Sequence, residues 1–352
     1  MIGAPADDGK LTVTDPSDAG AVYGRGFFGT LADEGLRLDA YESVYLTEMD
    51  RLEAVDPKRG RVDWSELFRR AARASPEFDV RYVVYRDLRQ RGYVVRASPP
   101  PIAFSVLPRG GTLHKTPSKY WVQPCSERAP FRLAEVLELA RRAQGARKNL
   151  LLALVDEESD LTYYRIRRPN PRGALAPALP PTPVPGWLGT DRVVVFDADG
   201  VRALGDGLAF GSRIGARLEL SLLEASYLLE RGALAVRDVR TRRSLRLDAL
   251  LKRARRAEAE FDQRIAAYRA LRAAQLVVKT GFKYGAHFRA YLRNPEHTHA
   301  RYLVQAVGAS HEAPWPEVAG SVRVAQGVRK EFLLAAVDRD SVSFLELDRV
   351  RP

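Results

Sequence analysis

Three side chains near the C-terminal end of the chain could together perform acid–base chemistry on an anionic substrate. Tyr291, His299 and Lys330 supply a phenol, an imidazole and a fixed cation. Histidine carries a proton in either direction near neutral pH, and tyrosine can act as a base when nearby cations lower its pKa. Lysine stabilises developing negative charge. This set suits attack of a 2′-hydroxyl on the adjacent RNA phosphate, a reaction that needs neither a metal nor a water nucleophile.

An internal repeat underlies the choice of these residues. Residues 145–156 (GARKNLLLALVD) and 327–338 (GVRKEFLLAAVD) are identical at eight of twelve positions, with an offset of 182. Further matching blocks follow in the same order at nearly the same offset. The chain is therefore a tandem duplication, and the period is far too long for a solenoid.

The two copies differ where chemistry is concerned. Alignment of the repeats places Tyr291 opposite Leu107 and His299 opposite Pro117, whereas Lys330 has a lysine as its counterpart. The tyrosine and the histidine thus occur only in the second copy. This pattern favours one active copy and one copy that has lost the chemistry.

The predicted architecture is α/β with mixed sheets, built as two tandem homologous units. Each unit is expected to contain a small N-terminal α/β subdomain and a C-terminal mixed-sheet subdomain of the catalytic type. The predicted boundaries are 1–170 for the non-catalytic unit and 188–352 for the catalytic unit, whose core is at about 262–352. The stretch between them, 171–187, contains six prolines and is predicted to be an extended linker, neither helix nor inner strand.

Hydrophobic periodicity and turn residues predict the same order of elements in both copies. Short β-rich runs come first, at 10–30 and 192–211. Amphipathic helices follow. Each copy then ends in a strand, a helix and a strand, with LLLALV (150–155) and FLLAAV (332–337) predicted to be buried strands. The predicted helices are 36–53, 80–91, 216–234 and 262–274, with strands at 93–97 and 276–280. Asp63 followed by Glu66 predicts a capping box that starts a helix running to about Ala74.

Composition limits the class of protein. The 352 residues carry a net charge of +12 and 45% hydrophobic residues, with a pI near 9.9. Such a basic chain favours a polyanionic partner, with nucleic acid first and an anionic membrane surface second. No apolar run or N-terminal signal indicates a membrane span or secretion, and the single Cys125 excludes an internal disulfide. We therefore expect a cytoplasmic protein that is not associated with a membrane.

Two other motifs suggest different chemistry and are weighed against simpler roles. Asp197 and Asp199 lie in VVVFDADG, an arrangement found in phosphohydrolases with an aspartate nucleophile, but Asp-Gly also favours a hairpin turn. GDGLAFG (205–211) resembles a dinucleotide-binding loop, yet the first copy has GRGFFG at the same place, which favours a structural turn. Neither motif displaces the acid–base set.

Three stretches of the second copy resemble the catalytic core of a known family. TGFKYGAHFRAY (280–291), HARYLV (299–304) and RVAQGVRKEFLLAAVD (323–338) are similar to archaeal tRNA-splicing endonucleases. The layout resembles the homodimeric class, in which one polypeptide holds a degenerate unit and an active unit. The resemblance implies cleavage of precursor tRNA at bulge–helix–bulge RNA, leaving 2′,3′-cyclic phosphate and 5′-hydroxyl ends, with no cofactor and no metal.

The resemblance also implies residue roles. Tyr291 matches the general base for the 2′-hydroxyl, His299 the general acid for the leaving 5′-oxygen, and Lys330 the cation that stabilises the transition state. His297 is the alternative acid. Arg323 matches an arginine that grips a flipped-out base, and Arg339 and Arg349 are both candidates for its partner arginine.

An acidic loop in the first copy carries the predicted dimer contact. It contains Asp156, Glu157, Glu158 and Asp160 and, by the resemblance, inserts into a basic cleft of the partner subunit. We therefore expect a homodimer with two active sites. The alternative from another class is a non-catalytic RNA-binding or assembly subunit of such an enzyme, in which the three side chains are vestigial.

Overall fold

A computed structural model of the chain describes residues 1–175, 178–296, 298–339 and 341–352. Its contacts group them into two compact units. The first comprises 1–129, 139–166 and 349–352, and the second comprises 130–138 with the described residues of 167–348. No helix in these ranges is long and apolar enough to cross a membrane.

The first unit begins with a small module of six strands and three helices. In chain order these are β1 (Ile2–Pro5), β2 (Leu11–Val13), α1 (Pro16–Gly24), β3 (Thr30–Ala32), β4 (Gly35–Leu38), α2 (Ala40–Glu48), β5 (Glu53–Asp56), β6 (Gly60–Val62) and α3 (Trp64–Ala74). The strands form one sheet in the order β3-β4-β2-β1-β5-β6. Only β1 and β5 pair in parallel.

A second module follows, with a mixed sheet. Its elements are α4 (Phe78–Gln90), β7 (Val95–Ala97), β8 (Phe104–Val106), β9 (Tyr120–Ser126), β10 (Pro130–Arg132), α5 (Leu133–Gly145), β11 (Asn149–Val155) and β12 (Leu161–Arg167). Strand β9 pairs antiparallel with β8 and parallel with β11, while β7 and β12 pair antiparallel at the two ends. Strand β10 and the first part of α5 belong to the second unit.

The second unit repeats this order of elements, except that an isolated bridge between Arg237 and Ser244 takes the place of β6. They are β13 (Val184–Leu188), β14 (Arg192–Val195), α6 (Ala198–Gly200) with a π-helical continuation to Gly207, β15 (Ser212–Ile214), β16 (Arg217–Ser221), α7 (Leu222–Glu230), β17 (Leu234–Asp238), α8 (Leu247–Ala257), α9 (Phe261–Ala273), β18 (Val277–Thr280), β19 (Phe288–Tyr291), β20 (Tyr302–Gly308), β21 (Glu312–Pro314), α10 (Trp315–Gly327), β22 (Glu331–Asp338) and β23 (Ser341–Val350). The predicted α/β class with mixed sheets is confirmed.

The sheet pairings of the second unit follow those of the first. Its first sheet has the order β15-β16-β14-β13-β17. In its second module, β18 pairs antiparallel with β19, β19 antiparallel with β20, β20 parallel with β22, and β22 antiparallel with β23. Strand β10 pairs antiparallel with β21. One buried core runs through both modules of this unit, from Val193 and Leu220 through Phe261 to Val304 and Leu333.

Two predicted helices are longer than the observed ones. The prediction of 36–53 fails at its start because Gly35–Leu38 forms a strand, and α2 ends at Glu48. Likewise 216–234 begins with the strand Arg217–Ser221 before α7. In both places a capping box sets the helix start, formed by Asp39 with Glu42 and by Ser221 with Glu224.

The stretches predicted to be β-rich each contain a helical segment. Asp15 caps α1, since its side chain accepts a hydrogen bond from the Asp18 amide at 2.8 Å. Asp197 caps α6 in the same way, with the Gly200 amide at 2.7 Å. Asp197, whose motif also favours a hairpin turn, and Asp15 are thus both helix N-caps. This capping role accounts for the conformation of VVVFDADG.

The predicted capping box at the start of α3 is wrong in one detail. Asp63 does cap the helix, but the Glu66 carboxylate binds Arg69 and Arg70, each at 3.1 Å, instead of the N-cap amide. The loop GDGLAFG ends in a structural turn, as interpreted from the repeat. Gly211 has a φ of +56°, and a Cβ there would lie 2.5 Å from the Glu219 carbonyl oxygen.

The predicted linker 171–187 ends in a strand. Residues from Val184 onward form β13, an inner strand that contains Pro185. Pro185 is tolerated there because β13 pairs with β17 along its whole length but with β14 only at Trp187 and Leu188. The proline nitrogen therefore lies where only one neighbouring strand is paired.

A buried glutamate holds the two modules of each unit together. The Glu224 carboxylate accepts the Gly211 amide at 2.8 Å and the Ser221 amide at 3.0 Å. Lys279, from the first strand of the next module, donates to the Gly211 carbonyl oxygen at 2.5 Å. The start of α7, the turn at Gly211 and the sheet that begins with β18 are thus joined at one point.

The first unit contains the same arrangement with one conservative change. Glu42 accepts the Gly29 and Asp39 amides, both at 3.0 Å. Here an arginine replaces the lysine, and Arg96 donates to the Gly29 carbonyl oxygen at 2.8 Å and to Glu42 at 2.9 Å. Both units therefore depend on a buried capping glutamate and a cation from β7 or β18.

Substitution Glu224→Ala should destabilise the second unit. It leaves the Gly211 and Ser221 amides, whose hydrogen bonds to Glu224 are partly buried, without this acceptor. We therefore expect the free energy of unfolding to fall by about 1–2 kcal/mol. Urea denaturation followed by circular dichroism measures the change. The control is Glu230→Ala, which removes an ion pair with Arg269 at the end of the same helix and should cost less than about 1 kcal/mol. Equal effects of the two variants would contradict this role of Glu224.

Candidate active site

The sheet topology of the second unit brings the three predicted catalytic residues to one edge. Tyr291 is the last residue of β19, and β19 runs antiparallel to β20. His299 lies three residues before β20 begins, and Lys330 lies one residue before β22. Because β20 and β22 are parallel, the end of β19 and the starts of β20 and β22 share an edge of the sheet.

Tyr291 is held by apolar packing on the sheet. Its side chain is 7% exposed and packs with Ala209, Val277 and Ala300. Strand pairing places it opposite Val277 in β18. The Arg289 guanidinium lies 5.9 Å from the centre of its ring, within the range of a cation–π contact. The phenol is therefore positioned by the sheet and lies beside a cation.

His299 lies in the segment between β19 and β20 and is exposed. The next residues anchor it, because Ala300 is buried against Tyr291 and the Arg301 amide donates to the Ala290 carbonyl oxygen at 2.9 Å. A solvent-facing imidazole next to an ordered strand can transfer a proton to a bound substrate. His297, the alternative acid, lies outside the described residues.

Lys330 lies in the short connection between α10 and β22. It is half-buried, its amide donates to the Ala325 carbonyl oxygen at 2.9 Å, and its Nζ donates to the Val328 carbonyl oxygen at 3.1 Å. The Nζ also lies 5.7 Å from the centre of the Tyr284 ring. With one hydrogen bond made by its ammonium group, Lys330 retains donors for an anionic substrate.

Tyr284 and Arg289 connect Lys330 with Tyr291. The Arg289 guanidinium lies 5.9 Å from the ring centres of both tyrosines, and its Nε donates to the Thr280 carbonyl oxygen at 2.8 Å. Tyr284 thus contacts two cations. Tyr291 and Lys330 are thus linked through the Arg289 guanidinium and the Tyr284 ring.

An ion pair joins the segments that carry His299 and Lys330. Arg301 donates to the Glu331 carboxylate at 2.7 Å, and the Glu331 amide donates to the Arg301 carbonyl oxygen at 2.9 Å. Arg301 is two residues after the histidine and Glu331 directly follows the lysine. The pair therefore restrains the spacing of the imidazole and the ammonium.

The first repeat shows the same scaffold without the chemistry. Leu107, the counterpart of Tyr291, is 4% exposed, and its amide donates to the Val94 carbonyl oxygen at 3.0 Å. Pro117 takes the place of His299. The strand register around these positions is the same in both repeats. The missing base therefore reflects a side-chain replacement on strands of the same register, and the missing acid lies in a connection that is two residues longer in the first repeat, 108–119 against 292–301.

The lysine that both repeats share contacts the connection before β9 in the first unit. Lys148 donates to the Ser118 carbonyl oxygen at 2.6 Å in the first unit. Ser118 corresponds to Ala300, and Lys148 corresponds to Lys330. In the first unit this lysine thus reaches the counterpart of the residue that follows His299, whereas in the second unit the Lys330 ammonium donates to Val328.

A cleft of about 730 Å³ is lined in part by Tyr291. Its walls include Lys279 and His287, and burial lowers the pKa of each. His287 has both ring nitrogens engaged, because Nδ1 accepts a backbone amide at 3.1 Å and Nε2 lies 3.0 Å from Glu260. His287 is therefore a structural histidine, in contrast to the exposed His299.

The three predicted arginines lie in different places. Arg323 is exposed on α10 and makes no ion pair within the described ranges. Arg349 lies two residues beyond Leu347, near the end of β23 that pairs with the start of β22. Arg339 lies in the turn between β22 and β23, at the far end of β22 from Lys330, about 26 Å along the strand. The structure does not bring Arg339 to the edge with the acid–base residues.

The acidic loop is the turn between β11 and β12. Asp156 forms the turn itself, because its carboxylate accepts the amides of Glu158 at 3.0 Å and Asp160 at 2.8 Å. Glu157 pairs with Arg128 at 3.1 Å. Glu158 and Asp160 are exposed, and their carboxylates contact no cation in the part of the chain that the structure describes. These two are the carboxylates available to a partner.

The two aspartates of the alternative phosphatase motif have structural roles. Asp197 is the N-cap of α6, and Asp199 is exposed and forms an ion pair with Arg202. Within the described ranges, no group of three or more His, Cys, Asp or Glu side chains could hold a metal ion. The two aspartates thus have roles at a helix start and on the surface.

Together, the fold and this edge define a duplicated α/β protein in which one copy carries the acid–base side chains. Comparison with known families agrees with that class. The family profile described as the tRNA intron endonuclease catalytic C-terminal domain matches residues 78–163 and 261–344, and the profile of the N-terminal domain matches 6–68 and 184–251. The chain belongs to the tRNA intron endonuclease family. The predicted family, the tandem repeat and the endoribonuclease class are thereby confirmed.

Curated relatives match over almost the whole chain. A tRNA-splicing endonuclease of Methanosarcina acetivorans is 35% identical over 349 residues, covering 98% of both chains. One of Methanococcoides burtonii is 36% identical over 334 residues, covering 94% of both. A third, of Haloferax volcanii, is 32% identical over 348 residues, covering 93% of both.

No motif in the sequence indicates the supporting residues Tyr284, Arg289, Arg301 and Glu331. All four lie in or beside the stretches that carry the family resemblance. A position-by-position comparison of the two copies would indicate these residues, because the copies differ there. The turn around Tyr284, for example, is rich in proline in the first repeat. The Arg301–Glu331 pair has Lys119 and Asn149 as counterparts, which cannot form an ion pair.

We expect Glu331→Ala to slow RNA cleavage without unfolding the protein. The ion pair is partly exposed, so its loss should cost less than about 1 kcal/mol of stability. The loops that carry His299 and Lys330 lose a restraint, and the single-turnover cleavage rate should fall about tenfold. Glu312→Ala is the control, since Glu312 pairs with Arg132 away from this edge. Equal rates for the two variants would show that the Arg301–Glu331 pair has no positioning role.

Proposed function

We propose that this protein cuts precursor tRNA at intron–exon junctions in bulge–helix–bulge RNA. The cleavage is a transesterification without a metal, and it leaves 2′,3′-cyclic phosphate and 5′-hydroxyl ends. The observation that supports it best is the shared sheet edge of Tyr291, His299 and Lys330. Leu107 and Pro117 at the matching positions make the first repeat non-catalytic.

In the proposed reaction, each side chain has one task. Tyr291 accepts the proton of the 2′-hydroxyl as that oxygen attacks the adjacent phosphorus. The bond from phosphorus to the 5′-oxygen breaks, and His299 donates a proton to the leaving oxygen. Lys330 stabilises the extra negative charge on the phosphate oxygens in the transition state. No water is consumed, so the attacking and leaving groups both come from the RNA.

Positive charge around the site would hold the RNA. Arg323 and Arg349 are our candidates for gripping an unpaired base, because guanidinium planes stack on bases without reading sequence. Arg339 is left out of this group because of its distance along β22. The net charge of +12 also predicts that RNA affinity falls as salt concentration rises.

The proposed assembly is a homodimer that engages the two bulges with two active sites. The acidic loop of one subunit would bind a basic cleft of the other, through Glu158 and Asp160. Asp156 shapes the loop, and Glu157 already has a cation partner. Exposed carboxylates on an ordered turn suit electrostatic docking.

The first test is cleavage of a bulge–helix–bulge RNA in excess EDTA by wild-type protein and by His299→Ala. Loss of the general acid should lower the single-turnover rate about 10²- to 10⁴-fold, while RNA affinity stays within about twofold. Gel analysis of the product ends and filter binding measure the two effects. His311→Ala serves as the matched control, since His311 contributes its backbone carbonyl group to a hydrogen bond and should remain dispensable.

Other outcomes of this test decide against the proposal. Tight binding of the RNA by the wild type without cleavage would favour the non-catalytic subunit. Cleavage that stops when EDTA is added would contradict the metal-free route. Undiminished cleavage by His299→Ala would remove the histidine from its role as general acid.

Charge reversal tests the dimer. We expect the double variant Glu158→Lys/Asp160→Lys to raise the dimer dissociation constant about tenfold or more, because like charges would face each other at the interface. Sedimentation velocity over a concentration series measures the constant. The control Glu34→Lys/Asp248→Lys makes the same charge change at exposed sites elsewhere. A wild-type chain that sediments as a monomer, or a dimer insensitive to the loop variant, would contradict the proposed assembly.

A further inference from the structure

We propose that Phe282 is a stacking platform for an unpaired RNA base next to the active site. This inference rests on the proposed function and adds a specific contact to it. Phe282 is 85% exposed, the highest value among the large hydrophobic side chains in the described ranges. Phe196, the next most exposed aromatic of that set, is 62% exposed.

The turn that presents Phe282 is ordered by its own hydrogen bonds. The Gly281 amide donates to the His287 carbonyl oxygen at 3.0 Å, and the Tyr284 amide donates to the Gly281 carbonyl oxygen at 2.8 Å. A Cβ at Gly281 would lie 2.6 Å from the Ala286 carbonyl oxygen, so the close approach needs glycine. The phenylalanine is therefore held outward on a defined backbone, which lowers the entropy lost when a base binds.

The same turn contacts side chains of the candidate active site. Tyr284, two residues after Phe282, lies 5.7 Å from the Lys330 Nζ and 5.9 Å from the Arg289 guanidinium. Lys283 lies between the two aromatic residues and is exposed. The exposed ring is thus adjacent to cations that suit a phosphate backbone, and an RNA base fits this environment better than an apolar protein surface does.

The first repeat lacks these features at the corresponding turn. Its sequence between β7 and β8 is SPPPIA (98–103), with neither an aromatic residue nor a cation. The one large apolar side chain there, Ile102, is 5% exposed. An exposed phenylalanine therefore occurs only in the repeat that carries Tyr291 and His299, as expected of a residue that serves the reaction and not the fold.

Stacking on an aromatic ring suits recognition of a bulge. Every base has a flat face, so the contact tolerates any sequence, and it requires a base that is unpaired. Phe282 would in this way favour bulged RNA over duplex RNA. The contact differs from the guanidinium grip proposed for Arg323 because it lies on the turn before β19.

The test measures RNA affinity in the His299→Ala background, where the substrate stays intact. We expect Phe282→Ala to weaken binding of bulge–helix–bulge RNA about 5- to 100-fold and to leave binding of a fully paired duplex unchanged. Phe282→Tyr should keep wild-type affinity. Phe196→Ala is the matched control and should have no effect.

A cycle with abasic RNA identifies the contact. One bulge nucleotide at a time is replaced by an abasic site, and at one position the effect of Phe282→Ala should disappear. Sedimentation of Phe282→Ala should match that of the parent protein. The inference fails if Phe282→Ala binds like the parent, if no abasic position removes its effect, or if the variant changes the assembly state. Failure of the proposed function would show separately, as wild-type protein that neither binds nor cuts the RNA.

Discussion

The pairing of three strands is the constraint on which the rest of the site depends. Strand β19 runs antiparallel to β20, and β20 runs parallel to β22. One strand end and two strand starts therefore meet at a single edge. The phenol of Tyr291 at the end of β19 is thereby brought to the same edge as the imidazole and the ammonium group on the connections that lead into β20 and β22. Backbone hydrogen bonds between the strands thus set where the three side chains lie.

Duplication explains how the protein keeps this frame in both halves while only one half carries the reactive groups. Glu42 and Glu224 perform the same capping and bridging task, and Arg89 and Arg272 lie over Phe28 and Phe210 at 3.6 and 4.1 Å from the ring centres. The scaffold contacts are buried and are retained in both units. The replacements that separate the reactive half from the other, Leu107 for Tyr291 and Pro117 for His299, lie at a strand end and in a connection.

The sequence was sufficient to predict the parts of the structure that leave a periodic or repeated signal. The α4 and α9 helices, the buried strands β11 and β22 and the α/β class follow from such signals. The early segments of each repeat were harder, because Asp15 and Asp197 can begin a helix or a turn and only tertiary contacts decide. Pro185 likewise lies in an inner strand because one of its neighbours pairs only further along.

In the candidate site, too, the sequence predicts some residues and not others. Tyr291, His299 and Lys330 could be chosen from the repeat comparison and the family resemblance, since each is a type of residue that performs acid–base chemistry. The supporting contacts could not. Arg301 with Glu331 depends on the parallel register of two strands, and the exposure of Phe282 depends on how its turn folds. Arg339 could not be placed in this way, because distance in the sequence does not reveal at which end of a strand a residue lies.

In the proposed reaction, the 2′-hydroxyl of the RNA is the nucleophile and the protein supplies only acid, base and charge. A bulge–helix–bulge RNA with a single 2′-deoxynucleotide at the cleavage position tests this most directly, under single-turnover conditions with the wild-type protein. We expect this RNA to bind with the affinity of the all-ribose substrate and to remain uncut at the modified position, while the other bulge is still cleaved. Cleavage at the deoxynucleotide would mean that water or another nucleophile attacks the phosphorus, and would contradict the account.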